Sequence, residues 1–376
     1  MQKKIIAILF CIIIFIGFFD LLIEFNDKIS ISNFIKYAKT ELSFNTKIGT
    51  RLEKIYDTIQ LLLNKKEIGN FTYYKNDQTG GLILITKQLD RVLLQENANR
   101  IIALNNELKQ KGIPYIYVSM PEEVKDIDSL KNIDYGNKSA DLLLENLQEQ
   151  VNFIDLREYD EIATLTENFY KTDHHWNMET VFASYQIIMN TIQDNYGFKV
   201  PAKYLDLENY KQEVVANSFF GSKGVNVGEK YVSKENFMIL LPKYDTNFEY
   251  KQLNTKGDLI VHTTGNFEQA LTDKEKLYTS AYINKYNIFL YAGDCENIII
   301  NQNAENDKKV LLISSSFGRA LAPYISQCFQ ETRYIDPQKN RFEKDILKYI
   351  EEYNPDVVIM LYNAVANMEL IKNNSL

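Results

Sequence analysis

Three stretches of the chain carry the residue types that acyl-transfer chemistry needs: Tyr170-Lys-Thr-Asp173-His174-His175-Trp176-Asn177, Val310-Leu-Leu-Ile-Ser314-Ser315-Ser316-Phe317-Gly318 and Phe220-Gly221-Ser222. A serine hydroxyl is a weak nucleophile near neutral pH, so it needs a base to take its proton and a third group to hold that base in one tautomer. Ser316 is placed for this role, because an apolar run stops just before it and Gly318 permits a tight turn; its neighbours Ser314 and Ser315 are alternatives. Asp173 and His175 can converge from one rigid loop if His174 points away, with His175 as base, Asp173 as orienting acid and Trp176 packed beneath the loop or flanking a substrate. The charge that develops on a carbonyl oxygen must meet preorganised N–H donors. The Ser316 amide is one candidate donor, and Gly221 or Gly293 could supply another. Arg157, at the end of an apolar strand, reads either as a cleft residue for an anionic sugar or as a surface ion pair. His262 reads as a sheet residue. Three histidines and three cysteines cannot build a four-cysteine or His-rich metal centre, and no metal or other cofactor is expected.

These residues need a frame to hold them. Helical spacing over about 97–111 (Ile101, Ile102, Leu104, Leu108) leads through Gly112 to a strand at Pro114–Ser119. A helix over about 142–151 precedes the strand Phe153–Leu156, and another runs on from residue 177 through Tyr185, Ile188 and Ile192. The alternation returns at the end: strand Val310–Ser314, a helix from about Arg319, Tyr334–Asp336, a helix over 343–353 and strand Val357–Leu361. Continuous apolar strands between helices predict an α/β fold with a mostly parallel sheet covered on both faces. In such sheets ligands bind at the carboxyl ends of the strands, which is where Ser316 falls. Residues 71–85 read as a hairpin entering this domain. Residues 215–300, with aromatic runs at Phe237–Leu241 and Tyr286–Tyr291, predict an antiparallel insertion or side wall.

At the other end, Lys3 and Lys4 precede an unbroken apolar run from Ile5 to Phe19, then Asp20 and Leu21 to Ile23. Residues 5–23 would span about 28 Å as a helix, near the thickness of the hydrocarbon core. No small-residue cleavage site follows, so the segment predicts an uncleaved transmembrane anchor. The lysines keep residues 1–4 cytoplasmic and the rest of the chain outside, a single-pass cell-membrane protein. Leu52, Ile55, Ile59, Leu62 and Leu63 mark a helical juxtamembrane stalk within 24–70, leaving 71–376 as the extracytoplasmic domain. With 42 basic against 50 acidic side chains the net charge is −8, which argues against a general nucleic-acid binder. Cys295 and Cys328 could pair or remain two buried thiols. Tyrosine is plentiful, which suits carbohydrate or wet interfaces.

The passage YKTDHHWNMETVFASY (170–185) resembles the signature of the DHHW proteins, and LLISSSFGRALAPYISQCF resembles their serine block. That family is similar to the SGNH-hydrolase-like proteins of alginate O-acetylation and, more remotely, to the teichoic-acid D-alanylation protein. The resemblance runs in order over about 72–376 and includes Ser119-Met-Pro121, Ile154–Arg157 and Phe220-Gly221-Ser222. It implies an SGNH-like fold in which Ser316, His175 and Asp173 match nucleophile, base and orienting acid. It also implies an O-acetyltransferase or acetylesterase of the cell envelope that modifies a polysaccharide with a membrane-bound O-acyltransferase partner. Two positions depart from the pattern: Ser315 stands where an Asp is usual, and Thr180-Val181 where Gly-Ala is usual. The first leaves room for a second reading, a catalytically silent scaffold or glycan-binding protein of the same complex. A metal phosphoesterase reading of Asp173-His174-His175 would require further Asp and His ligands in separate motifs.

Overall fold

In the computed structural model the described residues are 63, 66–68, 72–124, 130, 132–293, 295–339 and 346–366. The expected anchor over 5–23, and nearly all of the expected stalk over 24–70, lie outside them. Among the described residues no helix is long and apolar enough to cross a membrane.

A hairpin of β1 (Tyr73–Lys75) and β2 (Leu82–Leu84) opens the unit that runs from Phe71 to Leu376. Helix α1 (Arg91–Gln110) follows, started by the Asp90 side chain, which accepts from the Leu93 amide at 3.0 Å. That cap places its start six residues before the spacing alone predicts, since an N-cap carboxylate satisfies an otherwise orphaned donor. Leu94, Ala98, Ile101, Leu104 and Leu108 form its buried stripe. Gly112, at φ +70°, then turns the chain into β3 (Tyr115–Ser119), buried at every position. Helix α2 (Gly136–Leu147) ends before the predicted 151, because the chain leaves the helix at Gln148 and Glu149 takes a left-handed φ of 68° on its way to β4 (Phe153–Asp155). Helix α3 (Met178–Tyr196) is capped by Asn177, whose side chain accepts from Thr180 N, and closed by Gly197 at φ +71°.

The insertion holds β5 (Tyr210–Phe219), the short helix α4 (Ser222–Val227), β6 (Glu235–Pro242), β7 (Phe248–Leu253), β8 (Leu259–Gly265), α5 (Phe267–Leu271) and β9 (Glu296–Asn301). The last part is β10 (Lys309–Ser314), α6 (Gly318–Ile325), β11 (Glu331–Ile335), α7 (Ile346–Tyr353) and β12 (Val357–Tyr362). The main sheet has eight strands in the order β4-β3-β12-β10-β11-β9-β7-β8. The first five are parallel, and β9, β7 and β8 extend the sheet antiparallel beyond β11. Within the insertion, β5 and β6 form a separate antiparallel pair outside the main sheet. The insertion is therefore antiparallel as expected, but most of it is sheet edge and not side wall. Tyr286–Tyr291 does not form a strand: residues 285–288 and 290–292 make 3-10 turns.

Alternation along the strands sorts the core into two layers. Tyr115, Tyr117, Leu311, Ile313, Val358 and Met360 pack with α1, α2 and α7 on one face. Ile116, Val118, Leu312, Ile359 and Leu361 pack with α3 and α6 on the other. The chain runs from β3 outward to β4 in one direction and from β10 to β11 in the other, so the strand order reverses near β12 and β10. A crevice at the carboxyl ends of those strands is where such sheets hold ligands.

Candidate active site

Ser316 lies in the turn from β10 into α6. Gly318 N donates to Ser315 O at 3.0 Å and Arg319 N to Ser316 O at 3.2 Å, while the Tyr334 hydroxyl donates to Ser315 O at 2.8 Å. Gly318 is needed for close approach: a Cβ there would sit 2.7 Å from Ser314 Cβ and 2.9 Å from the Tyr334 ring. The three serines now separate. Ser314 is fully buried and donates to Leu361 O at 3.0 Å, whereas Ser316 is partly exposed and its Oγ is 2.9 Å from His175 Nε2. The departure at Ser315 leaves the turn intact because the turn is held through the backbone carbonyl of 315.

The loop carrying Asp173 and His175 is closed at its base. Phe169 pairs with Trp176, Tyr170 N donates to His175 O at 3.0 Å, and Asn177 N to Asn168 O at 3.0 Å. Glu235, at the start of β6, clamps the loop from outside, its carboxylate accepting from Lys171 N (2.9 Å), Thr172 N (2.7 Å) and the Thr172 hydroxyl (2.5 Å). Trp176 is fully buried beneath the loop, with its indole N–H donating to the Tyr286 hydroxyl at 2.8 Å. The other departure, Thr180-Val181, is a pair of fully buried residues in the first turn of α3, so it fills core next to this loop.

His175 Nδ1 is 2.5 Å from Asp173 Oδ1, which also accepts from the His175 amide at 3.1 Å, and Ser222 N donates to Asp173 Oδ2 at 2.8 Å. Burial pushes the Asp173 carboxyl up, but the hydrogen bond and charge of His175, with His174 and the Ser222 amide, outweigh it and hold the group well below the usual carboxylate range. An ionised carboxylate only accepts, so Nδ1 carries its proton and the neutral ring offers Nε2 as the acceptor for Ser316. Burial lowers His175 and the charges of His174 and Arg319 add to it, against the opposing hydrogen bond and charge of Asp173, which together hold the ring at about 4. Asp173, His175 and Ser316 thus form one hydrogen-bonded line, with the base unprotonated near neutral pH.

The other candidates have different surroundings. Gly221 N donates to the Thr172 hydroxyl at 2.9 Å, so it is engaged within the loop and not available to an oxyanion. A Cβ at Gly221 would lie 2.3 Å from Asp173 Cβ and 2.5 Å from its Oδ2, which makes this glycine the floor on which Asp173 rests. Gly293 N is likewise engaged, donating to Leu290 O at 2.7 Å in a left-handed turn. Among the described residues the Ser316 amide makes no backbone hydrogen bond. Arg157 is held by ion pairs: it bonds Asp155 at 2.7 Å, Asp141 at 2.8 Å and the Asn137 carbonyl at 3.2 Å. His262 is a β8 residue whose Nε2 is 3.0 Å from Glu249. Cys295 and Cys328 are both buried and are not joined in a disulfide.

Several residues at the site were not singled out from sequence. Tyr286 stacks on His175 with ring centroids 3.8 Å apart and donates its hydroxyl to Phe317 O at 3.1 Å. Arg319, almost fully buried, donates to Asn287 Oδ1 at 2.6 Å and to Gly293 O. Glu235 goes unmarked by any motif, and Thr172 lies within the quoted signature without a role assigned to it, because their roles depend on a contact between residues far apart in the chain. Ligand atoms of Asp173, His174 and His175 lie within 4.8 Å of one another, but each histidine Nδ1 already meets Asp173 or Ser222.

Comparison with known proteins agrees with this geometry at the level of fold. Residues 83–219 match the family model described as the SGNH hydrolase-like domain of acetyltransferase AlgX, a span that includes Asp173 and His175 and ends before Ser316. No curated protein matches the chain. Bacillus cereus PatB1, solved both with a sulfonyl adduct and in a second structure, is similar at 21% identity and a TM-score of 0.64, over 80% of this chain and 96% and 98% of those chains. A DHHW family protein from Eubacterium siraeum is similar at 20% identity and a TM-score of 0.61, over 80% of this chain and 94% of that one. Over residues 83–219 the chain is therefore similar to the SGNH hydrolase-like domain of acetyltransferase AlgX, and it shares a fold with PatB1 and a DHHW family protein.

Proposed function

We propose that the protein is a membrane-anchored, extracytoplasmic serine acyltransferase or esterase that moves an acetyl group to or from a hydroxyl of a cell-surface or exported polysaccharide. The observation that carries this reading is the line Asp173–His175–Ser316, at 2.5 and 2.9 Å, at the carboxyl edge of the sheet. The match to an acetyltransferase domain supports the chemistry. The apolar run at 5–23 supports the location, and a membrane-bound O-acyltransferase is the acyl donor that the family resemblance implies.

In the first half-reaction His175 Nε2 takes the Ser316 proton as Oγ attacks the acyl carbonyl, and the Ser316 amide meets the developing oxyanion. The leaving group departs with that proton, leaving an acyl ester on Ser316. In the second half a sugar hydroxyl, or water, gives its proton to His175 and attacks the ester, and Ser316 Oγ recovers the proton as the new ester or acid leaves. Asp173 stabilises the imidazolium that forms in each half.

The test is release of 4-nitrophenol from its acetate by the chain from residue 27 onward, with sulfonyl fluoride labelling located by mass spectrometry. Ser316→Ala and His175→Ala should each lower turnover by about 10⁴-fold or more, and the label should sit on Ser316. A folded wild type that neither turns over the ester nor takes the label would sink the reading.

A further inference from the structure

The mechanism above leaves His174 unused, although its ring lies beside that of His175 with centroids 4.0 Å apart and meets Phe317, the residue after Ser316, edge-on at 6.3 Å. His174 is 41% exposed, in contrast to its buried neighbours. Its Nδ1 is 2.9 Å from Ser222 Oγ, which fixes the ring orientation, and Nε2 meets no described residue. Ser222 serves both histidines, since its amide holds Asp173 Oδ2 while its hydroxyl holds His174. Two imidazoles are thus tied to one short segment: His175 facing Ser316, and His174 next to it on the solvent side.

We infer that His174 Nε2 is a binding group for the acyl acceptor, hydrogen-bonding the hydroxyl next to the one that is acylated. This deepens the acyl-transfer reading and rests on it. When a vicinal diol approaches acyl-Ser316, one hydroxyl must point its proton at His175 Nε2. A neighbouring hydroxyl, which both donates and accepts, can then meet His174 in either tautomer. An acceptor with a lone hydroxyl has nothing to offer His174. The acceptor class is therefore a vicinal polyol such as a sugar ring, and the His174–Ser222 pair favours it over water and simple alcohols by orientation.

The experiment lets glycerol and ethanol compete, at equal hydroxyl concentration, for the acetyl group that 4-nitrophenyl acetate places on the enzyme, and compares acetylglycerol with ethyl acetate. The ratio is internal to one acyl-enzyme, so overall rate cancels. Wild type should prefer glycerol by about fivefold, the worth of one neutral hydrogen bond. His174→Phe should bring the ratio to about unity, and His174→Gln, whose side-chain amide can occupy the Nε2 position, should restore most of it. Ser222→Ala keeps the amide that holds Asp173 and frees the His174 ring, so it should give a ratio between the two even if His174→Phe folds poorly. A wild-type ratio of one, or a preference unchanged in both His174→Phe and Ser222→Ala, would overturn the inference. If the wild type forms no acyl-enzyme and Ser316 takes no sulfonyl label, the acyl-transfer reading itself has failed, and this inference falls with it.

Discussion

Asp173 has both carboxylate oxygens in hydrogen bonds, and its position depends on a residue with no side chain. A methyl group at 221 would need the space that Asp173 Cβ and Oδ2 occupy, so Gly221→Ala must push the acid away from His175. On the proposed mechanism the variant should keep its fold and lose about 100-fold in ester turnover, the usual effect of misplacing a catalytic group by about 1 Å; circular dichroism and 4-nitrophenyl acetate kinetics check both halves. His175 makes a prediction of a different kind. With its ionisation lowered to about 4 by burial, the base is still free in mildly acidic solution, so kcat/KM should hold from pH 7 to about pH 5 and fall near pH 4. A limb near pH 6.5 would mean that the ring is solvated. Stability moves the same way. Between the folded value and about 6.5 in the unfolded chain, the unfolded state binds more protons, so stability is lost as pH falls through that window. The depressed Asp173 adds a further loss below about pH 4, where the unfolded carboxyl protonates.

At the scale of elements, the loop at 170–175 is positioned by a strand that lies 60 residues further on. Glu235 from β6 satisfies two amides and a hydroxyl of Lys171 and Thr172, and Thr172 in turn accepts from Gly221. Burial raises the Glu235 carboxyl above its ordinary value, against those hydrogen bonds. Glu235→Gln keeps the shape but loses the charge and one acceptor, which should lower stability by about 2 kcal/mol in urea unfolding. It should also reduce turnover without touching substrate. Beside it, helix α4 is tied to β2 through Lys223, 2% exposed, which donates to Leu82 O at 2.6 Å and pairs with Glu123 at 2.7 Å. Lys223→Met strands a buried carboxylate, and unfolding measurements should show a loss of about 3 to 5 kcal/mol.

For the molecule as a whole, the parallel strands β4-β3-β12-β10-β11 and the helices on their two faces form the rigid frame on which Ser316 and the histidine loop meet. Of the two buried cysteines, Cys328 lies in that frame after α6, and Cys295 precedes β9 at the antiparallel extension of the sheet. Cys328 contacts the Tyr185 hydroxyl at 3.1 Å, and burial pushes its thiol up to about 12. Cys295 is also buried, donating to Leu253 O at 3.2 Å. Neither should react with a thiol reagent in the native protein, and both should react together in denaturant; modification of one under native conditions would contradict the packing. The sequence by itself determined the periodic core. The apolar runs of β3, β10 and β12, the helices between them and the Asp-x-His and Ser-Phe-Gly segments are local patterns, and each follows from burial of one face or both. It also placed Ser316, His175 and Asp173 as candidates, through the serine at a strand end, the Asp-x-His spacing and the resemblance to the DHHW proteins. Tertiary structure decided among the three serines, since only a fold could bury Ser314 against Leu361 and leave Ser316 facing His175. It engaged the amides of Gly221 and Gly293, paired Arg157 with Asp155 and Asp141, stacked Tyr286 on His175 and joined β7, β8 and β9 to the main sheet. Each of these is a contact between residues far apart in the chain, made by close approach and hydrogen bonding, and spacing along one strand of sequence carries no record of it.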